Sequence, residues 1–251
     1  MKVSAVIITL NEEANLSRCL KSLQFCDEII VVDSHSRDRT CEIARMGGAK
    51  VHLAPWQGYV EQRNLAAKLA KNSWVLSIDA DEVVSDELKQ EIEKELDNPS
   101  HQAYSIPRKT IHFGRWIRHG GWYPNRLVRL FDKTRGSWVG NELHERWLTL
   151  GSQGELQHDL IHYSFVDLSD QVERNNKYST LGAVGLQNQG VSPSLFRLIT
   201  KPISKFFETY FLKLGLLDGY PGFIISVSAA YSVFLKWCKL WELRSVKSSE
   251  S

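Results

Sequence analysis

Cysteine is scarce in this chain. Its four residues, Cys19, Cys26, Cys41 and Cys238, show no CxxC spacing, which argues against a zinc site and fits scattered free thiols in a reducing compartment. An excess of one charge is missing too. Lys plus Arg number 31 against 29 Asp plus Glu, a formal net charge of +2, so nothing global points to a nucleic-acid partner. Long apolar runs are absent: the most apolar uncharged one, GYPGFIISVSAAYSVFL at 219–235, is interrupted early by Pro221 and falls short of the roughly 20 residues of a spanning helix. The apolar stretch in MKVSAVIITLNEE is short and turns acidic at once, so no export signal is evident and the cytoplasm is expected. Two glycine loops are also wanting. TLNEEANL stands where a dinucleotide site needs GxGxxG, and no GxxxxGK[ST] occurs. An ordinary Rossmann dehydrogenase and a P-loop protein are thereby disfavoured.

With 43% hydrophobic and 24% charged residues, the composition is that of a folded protein with a sizeable core. The first hundred residues alternate. VSAVIIT (3–9), EIIVVD (28–33), VHL (51–53) and WVLSI (74–78) read as strands, and the β-branched runs suit burial on both faces. Between and after them, 15–23, a short stretch stopped by Gly47-Gly48, 58–70 and 85–96 read as helices, the last begun by Ser85-Asp-Glu-Leu and ended by Asn98-Pro99. Such alternation predicts a Rossmann-like, mostly parallel α/β sheet with flanking helices, whose ligands sit beyond the carboxyl ends of the strands. Asn11, Asp33 and the pair Asp79/Asp81 all fall at those ends. Three strand ends thus put polar groups on one rim.

An Asp-x-Asp triplet directly after a strand offers oxygen ligands to a hard divalent cation, Mg²⁺ or Mn²⁺, which takes one or two carboxylates with phosphate oxygens and water. One carboxylate of the pair could bind metal and the other a ribose hydroxyl. Asp33, ending VVD, could accept from a nucleobase N–H or a ribose; a plain Asx turn suits Asp38 better. Glu82 reads as the start of the next connection, outside the pair.

The segments IITLNEEANLSRCLKSL, IIVVDSHSRDRT and QRNLAAKLAKNSWVLSIDADE resemble glycosyltransferase family 2, inverting enzymes of the GT-A fold, across about residues 3–96. GGWYPNRLVRLFDK, GNELHERW and LIHYSF extend the resemblance to the lipopolysaccharide inner-core β-1,4-glucosyltransferase subgroup. It implies a nucleotide-sugar donor, UDP-glucose favoured, a divalent metal, and a lipid-linked saccharide acceptor such as an inner-core heptose. By position, Thr9, Asn11, Glu12 and Asp33 would line the nucleoside pocket. Arg63 and Asn64 would approach the diphosphate or sugar, and Asp79 and Asp81 would serve metal and ribose. Arg63 also reads as an ordinary helix-surface charge.

Inverting transfer needs a carboxylate opposite the leaving diphosphate to take the acceptor's proton. Glu145 in VGNELHERW is the expected base, with Glu142 in reserve. His162 is a candidate metal ligand or a hydrogen-bonded core histidine. Arg126 and Arg129, alternating with Leu127, Val128 and Leu130, would share a face toward diphosphate or an anionic acceptor. Trp116, Trp122 and Tyr123 read as sugar-stacking platforms or as aromatic core. The expected organisation is a nucleotide-sugar half (1–99), an acceptor and catalytic half (100–190) and an amphipathic helical extension (191–251). From Arg197 to Lys247 eight Lys/Arg face three Asp/Glu among many aromatics, so the extension would lie on the cytoplasmic face of the inner membrane, cap the sheet or form a dimer contact. Other readings are transfer to polyprenyl phosphate or another surface glycan, a nucleotidyltransferase, and a membrane-surface sugar-binding or scaffold protein without activity.

Overall fold

The structure is a computed structural model that describes residues 1–140, 145–165 and 167–249, with side chains described through residue 244. It divides into two compact units, 1–109 with 125–163, and 110–124 with 164–251.

In the first unit β1 (Val3–Thr9), β2 (Glu28–Asp33), β3 (Lys50–Leu53) and β4 (Trp74–Asp79) form a parallel block. They alternate with α1 (Leu16–Ser22), α2 (Thr40–Met46) and α3 (Tyr59–Leu69). Because β1 is central, both its faces are buried: Ala5 and Ile7 pack with Leu16, Leu20 and Ile78 on one side, and Val6 joins Ile30, Val32 and Val75 on the other. That two-sided burial is why the strand reads as a continuous apolar run and not as an alternation.

Beyond β4 the chain forms β5 (Glu82–Val84), α4 (Asp86–Asp97), β6 (Ala103–His112), β7 (Arg115–Ile117), β8 (Asn125–Asp132), β9 (Gly136–Val139), β10 (Arg146–Thr149), β11 (Gln153–Glu155) and β12 (Leu160–Tyr163). Helix α4 follows its sequence signals: the Ser85 hydroxyl accepts from the Leu88 N–H at 3.2 Å, Asp86 and Glu87 occupy the first turn, and Leu88, Ile92 and Leu96 form the buried stripe. The sheet order is β3-β2-β1-β4-β8-β6-β12-β5. Strand β8 runs antiparallel to β4 and β6, and β12 antiparallel to β5. The sheet is therefore mixed, with a parallel N-terminal block, antiparallel pairs beyond it, and β11 parallel to its neighbour β6. A smaller β9–β10 pair packs Trp138 and Trp147 against Phe131, the Phe131 and Trp147 rings stacking at 3.7 Å.

One irregularity shapes the site. In the β6–β8 ladder Tyr104 pairs with Leu130 but Ser105 with Val128, so Arg129 is the extra residue of a β-bulge.

The second unit holds the end of β6, β7, and three helices: α5 (Leu168–Asn188), α6 (Leu195–Phe207) and α7 (Gly219–Ser249). The Asp167 carboxylate caps α5, accepting from the Asp170 N–H at 2.8 Å. Ala183 of α5 packs with Trp237 and Leu240 of α7. His112 stacks on Trp122 with ring centroids 5.7 Å apart, and Phe165 packs against both rings. Trp122 therefore sits in an aromatic cluster, while Trp116 is exposed.

Candidate active site at the end of strand four

Strand β4 ends in Asp79 and turns through Ala80 and Asp81 into β5. Glu82 closes the turn, its carboxylate accepting from the Asp79 N–H at 2.9 Å. This glutamate is fully buried, contrary to the sequence reading of it as the start of a solvated connection. The reason is strand alternation: in Glu82-Val83-Val84 the first and third side chains point inward together.

Arginines compensate the buried acids. Arg129 is 2% exposed, and its Nη2 donates to Glu82 at 2.7 Å and also to Asp79. Arg63 of α3 reaches the other Asp79 oxygen at 2.7 Å and the Ser77 hydroxyl at 3.3 Å, its guanidinium lying over Trp138. Arg108 adds a 3.4 Å contact to Glu82. Burial alone would raise the Asp79 pKa, but the charges of Arg129, Arg63 and Arg108 outweigh it and hold the carboxyl far below the usual range. Asp79 is thus an ionised group with both oxygens on arginine. Arg63 is no ordinary surface charge. Arg126 takes another direction, donating to the Leu156 carbonyl at 2.8 Å, so it does not join Arg129 on the acids.

Asp81 stands apart from that network. The β12–β5 ladder pairs His162 with Glu82, which brings the His162 Nε2 within 3.3 Å of an Asp81 carboxylate oxygen. The Asp81 carbonyl accepts from the Tyr163 N–H at 2.9 Å. Glu145 lies nearby, 3.8 Å from Arg63 Nη2. Glu142 lies outside the described residues. Among the described residues no three His, Cys, Asp or Glu side chains gather as a metal cage. The Asp81–His162 pair does fit a cation that completes its shell with substrate phosphates and water, since carboxylate and imidazole suit Mn²⁺ and a carboxylate suits Mg²⁺.

At the neighbouring strand ends, Asp33 is buried and accepts from the Thr9 hydroxyl at 2.9 Å, the Ser36 N–H at 2.8 Å and the Ser36 hydroxyl at 2.5 Å. Burial works to raise its pKa, yet these bonds, led by Ser36, hold it below the carboxylate norm. Asn11, at φ 56°, accepts from the Arg37 N–H at 2.9 Å, and the Glu12 N–H donates to Thr40 at 2.7 Å. These bonds stitch the loops after β1 and β2 into one rim.

Asn64 turns away from the rim. Its amide donates to the Trp138 carbonyl and accepts from the Trp138 N–H, both at 2.9 Å, as a neighbouring strand would. Replacing Asn64 with Ala leaves that backbone unpaired and should lower stability by about 1–3 kcal/mol, read from the urea midpoint.

A mixed sheet of this order, with acids gathered at the carboxyl end of its central strands, defines the GT-A class of α/β folds. It is shared with a mannosyltransferase of Pyrobaculum calidifontis solved with GDP-mannose and Mn²⁺ (TM-score 0.53, 13% identity, 96% of this chain and 87% of that one). It is shared also with glucosyl-3-phosphoglycerate synthase of Mycobacterium tuberculosis solved with phosphoglyceric acid (TM-score 0.50, 18% identity, 77% and 81% covered). The chain belongs to glycosyl transferase family 2, whose sequence pattern matches residues 4–150. Among its relatives are an uncharacterized glycosyltransferase of Rickettsia typhi, 36% identical over 98% of this chain and 89% of the relative, and the lipopolysaccharide core biosynthesis glycosyltransferase LpsC of Rhizobium meliloti, 30% identical over 99% and 95%.

Proposed function

We propose that this glycosyltransferase moves a hexose, glucose from UDP-glucose, onto a heptose of a lipopolysaccharide inner core with inversion at the anomeric carbon, on the cytoplasmic face of the inner membrane. The observation that carries the reading is the strand-end constellation: Asp81 and His162 paired at 3.3 Å, and Glu145 3.8 Å from Arg63, the arginine that holds Asp79. The relation to LpsC over nearly the whole chain supports the acceptor class, and the mannosyltransferase bound to GDP-mannose and Mn²⁺ supports a nucleotide-sugar donor with a metal.

Each group has a task. Asp81 and His162 would hold a divalent cation, which supplies Lewis-acid neutralisation of the diphosphate leaving group. Asp79, fixed by its arginines, positions the turn that carries Asp81. Thr9, Asn11, Glu12 and Asp33 shape the nucleoside rim. Glu145 accepts the proton of the attacking hydroxyl as the new glycosidic bond forms and the donor's anomeric carbon–oxygen bond breaks.

With UDP-glucose and a heptose-ended core acceptor, Glu145→Gln should lower kcat by about 10²–10⁴-fold and leave the donor KM nearly unchanged. NMR of the wild-type product should show a β-glucoside. Full turnover by Glu145→Gln together with loss in Glu142→Gln would move the base to Glu142. A retained α-linkage would overturn the inverting mechanism itself.

A further inference from the structure

The turn joining α6 to α7 is built inside out. Thr209 and Asp218 are 2% and 8% exposed, while Leu212 and Tyr220 are 80% and 73% exposed, with Leu214, Leu216 and Leu217 also outward. This backbone is held firmly, so the leucines face out by construction. Asp218 accepts from the N–H groups of Arg118 at 3.2 Å and His119 at 2.8 Å, and the Gly120 N–H donates to the Lys213 carbonyl at 2.8 Å. A Cβ on Gly222 would stand 1.9 Å from the Gly215 carbonyl oxygen, which shows how closely the first turn of α7 lies against the loop. A turn made for water would bury its leucines and expose its aspartate.

Helix α6 continues the same surface. It has no buried residue, and Phe196, Ile199, Ile203 and Phe207 recur at helical spacing as one exposed stripe. Exposed cations border the turn: Arg118, whose backbone N–H bonds Asp218, and Arg115, whose guanidinium lies beside Gly219. The acids there are spent locally, Glu208 on Lys205 at 3.2 Å and on Lys213 at 2.5 Å, and Asp218 within the loop.

We propose that α6 and the following turn form a docking surface for an anionic lipid bilayer. The α6 stripe lies along the headgroup–acyl boundary, Leu212 and Leu217 enter the acyl region, and the basic side chains meet lipid phosphates. Charge selects this occupant over a second copy of the chain, because a two-fold contact would set the cationic rim against itself. The stretch Gly215–Arg244 has the length and mean hydropathy, 1.4, of a spanning helix. Its uncharged part, however, is 17 residues, about 25 Å of helix against a core of roughly 30 Å. Lys239 beyond that part is tied to Asn176 and Ser179 of α5 at 2.6 and 2.9 Å. The proposal takes only its purpose, access to a lipid-linked acceptor, from the function above.

Flotation of the full chain with phosphatidylcholine vesicles, with and without phosphatidylglycerol, tests it. The wild type should float with the anionic vesicles and be released by alkaline carbonate. Leu212→Glu with Leu217→Glu should cut partitioning by about tenfold or more, with thermal unfolding and transfer to a delipidated core oligosaccharide unchanged. Should that variant fail to fold, Arg115→Gln with Arg118→Gln, which keeps the apolar face, should lower binding to anionic vesicles alone. Wild type that stays in solution, carbonate-resistant protein that spans, or a dimer dissolved by Leu217→Glu would each overturn the docking surface. Flotation that persists when UDP-glucose transfer to heptose fails would sink the substrate assignment and leave the surface standing.

Discussion

Arg129→Met should unfold this protein more readily than any other single change at the site, with an expected loss of about 3–5 kcal/mol in urea or guanidinium denaturation. For a chain of this size that is roughly a 10 °C fall in Tm. The methionine keeps most of the side-chain volume, so the cavity contribution is small and the effect is electrostatic. It arises because Asp79 and Glu82 both donate nothing and accept from Arg129. Glu82, fully buried, would keep the Asp79 N–H at 2.9 Å and, as its cation, Arg108 at 3.4 Å. An isolated buried carboxylate cannot recover its hydration, and the protein must protonate it or open the strand end. Removing that charge as well, in Arg129→Met with Glu82→Gln, should restore at least half of the loss. A single-variant loss below about 1 kcal/mol would show that water screens the pair, as it does for surface bridges.

Asp81→Ala should do the reverse. Transfer from UDP-glucose should fall by about 10³-fold or more, since a cation at a departing diphosphate is worth several kcal/mol, while denaturation shifts by less than about 1 kcal/mol. Asp81 pairs with the His162 imidazole at 3.3 Å, and an imidazole, unlike a guanidinium, has an uncharged form that needs no counter-ion. His162→Ala should cost less, about 10–100-fold. Wild-type activity should need Mn²⁺ or Mg²⁺ and vanish with a chelator. Turnover indifferent both to chelator and to Asp81→Ala would remove the metal from the mechanism. The expected outcomes for Arg129→Met and Asp81→Ala would together mean that two acids separated by one alanine divide the work, Asp79 holding structure and Asp81 facing chemistry.

This division was only partly legible in the sequence. The β-branched runs and the capped, striped α4 are local signals, and burial and hydrogen bonding follow them closely. The rim was legible as well, because a strand's end is a local fact and α/β topology brings successive ends together. What resisted reading was long-range. His162 reaches Asp81 only through the β12–β5 pairing. Arg129 reaches Asp79 and Glu82 from a β-bulge in β8, an irregularity that the local sequence does not announce. Asn64 looked like a donor-site residue but serves the Trp138 backbone, a partner 74 positions away. The burial of Glu82 also rests on distant partners, Arg129 and Arg108.

The amino-acid sequence alone determined the family, the parallel N-terminal block and the acidic strand end, since each rests on neighbours within a few residues. Tertiary structure alone decided which arginines neutralise Asp79 and Glu82 and that His162 meets Asp81, because that depends on where distant residues are brought. It also decided the sense of the turn after α6. Composition shows leucines beside cations there, and only the folded backbone, with Asp218 inside and Leu212 outside, gives them a direction.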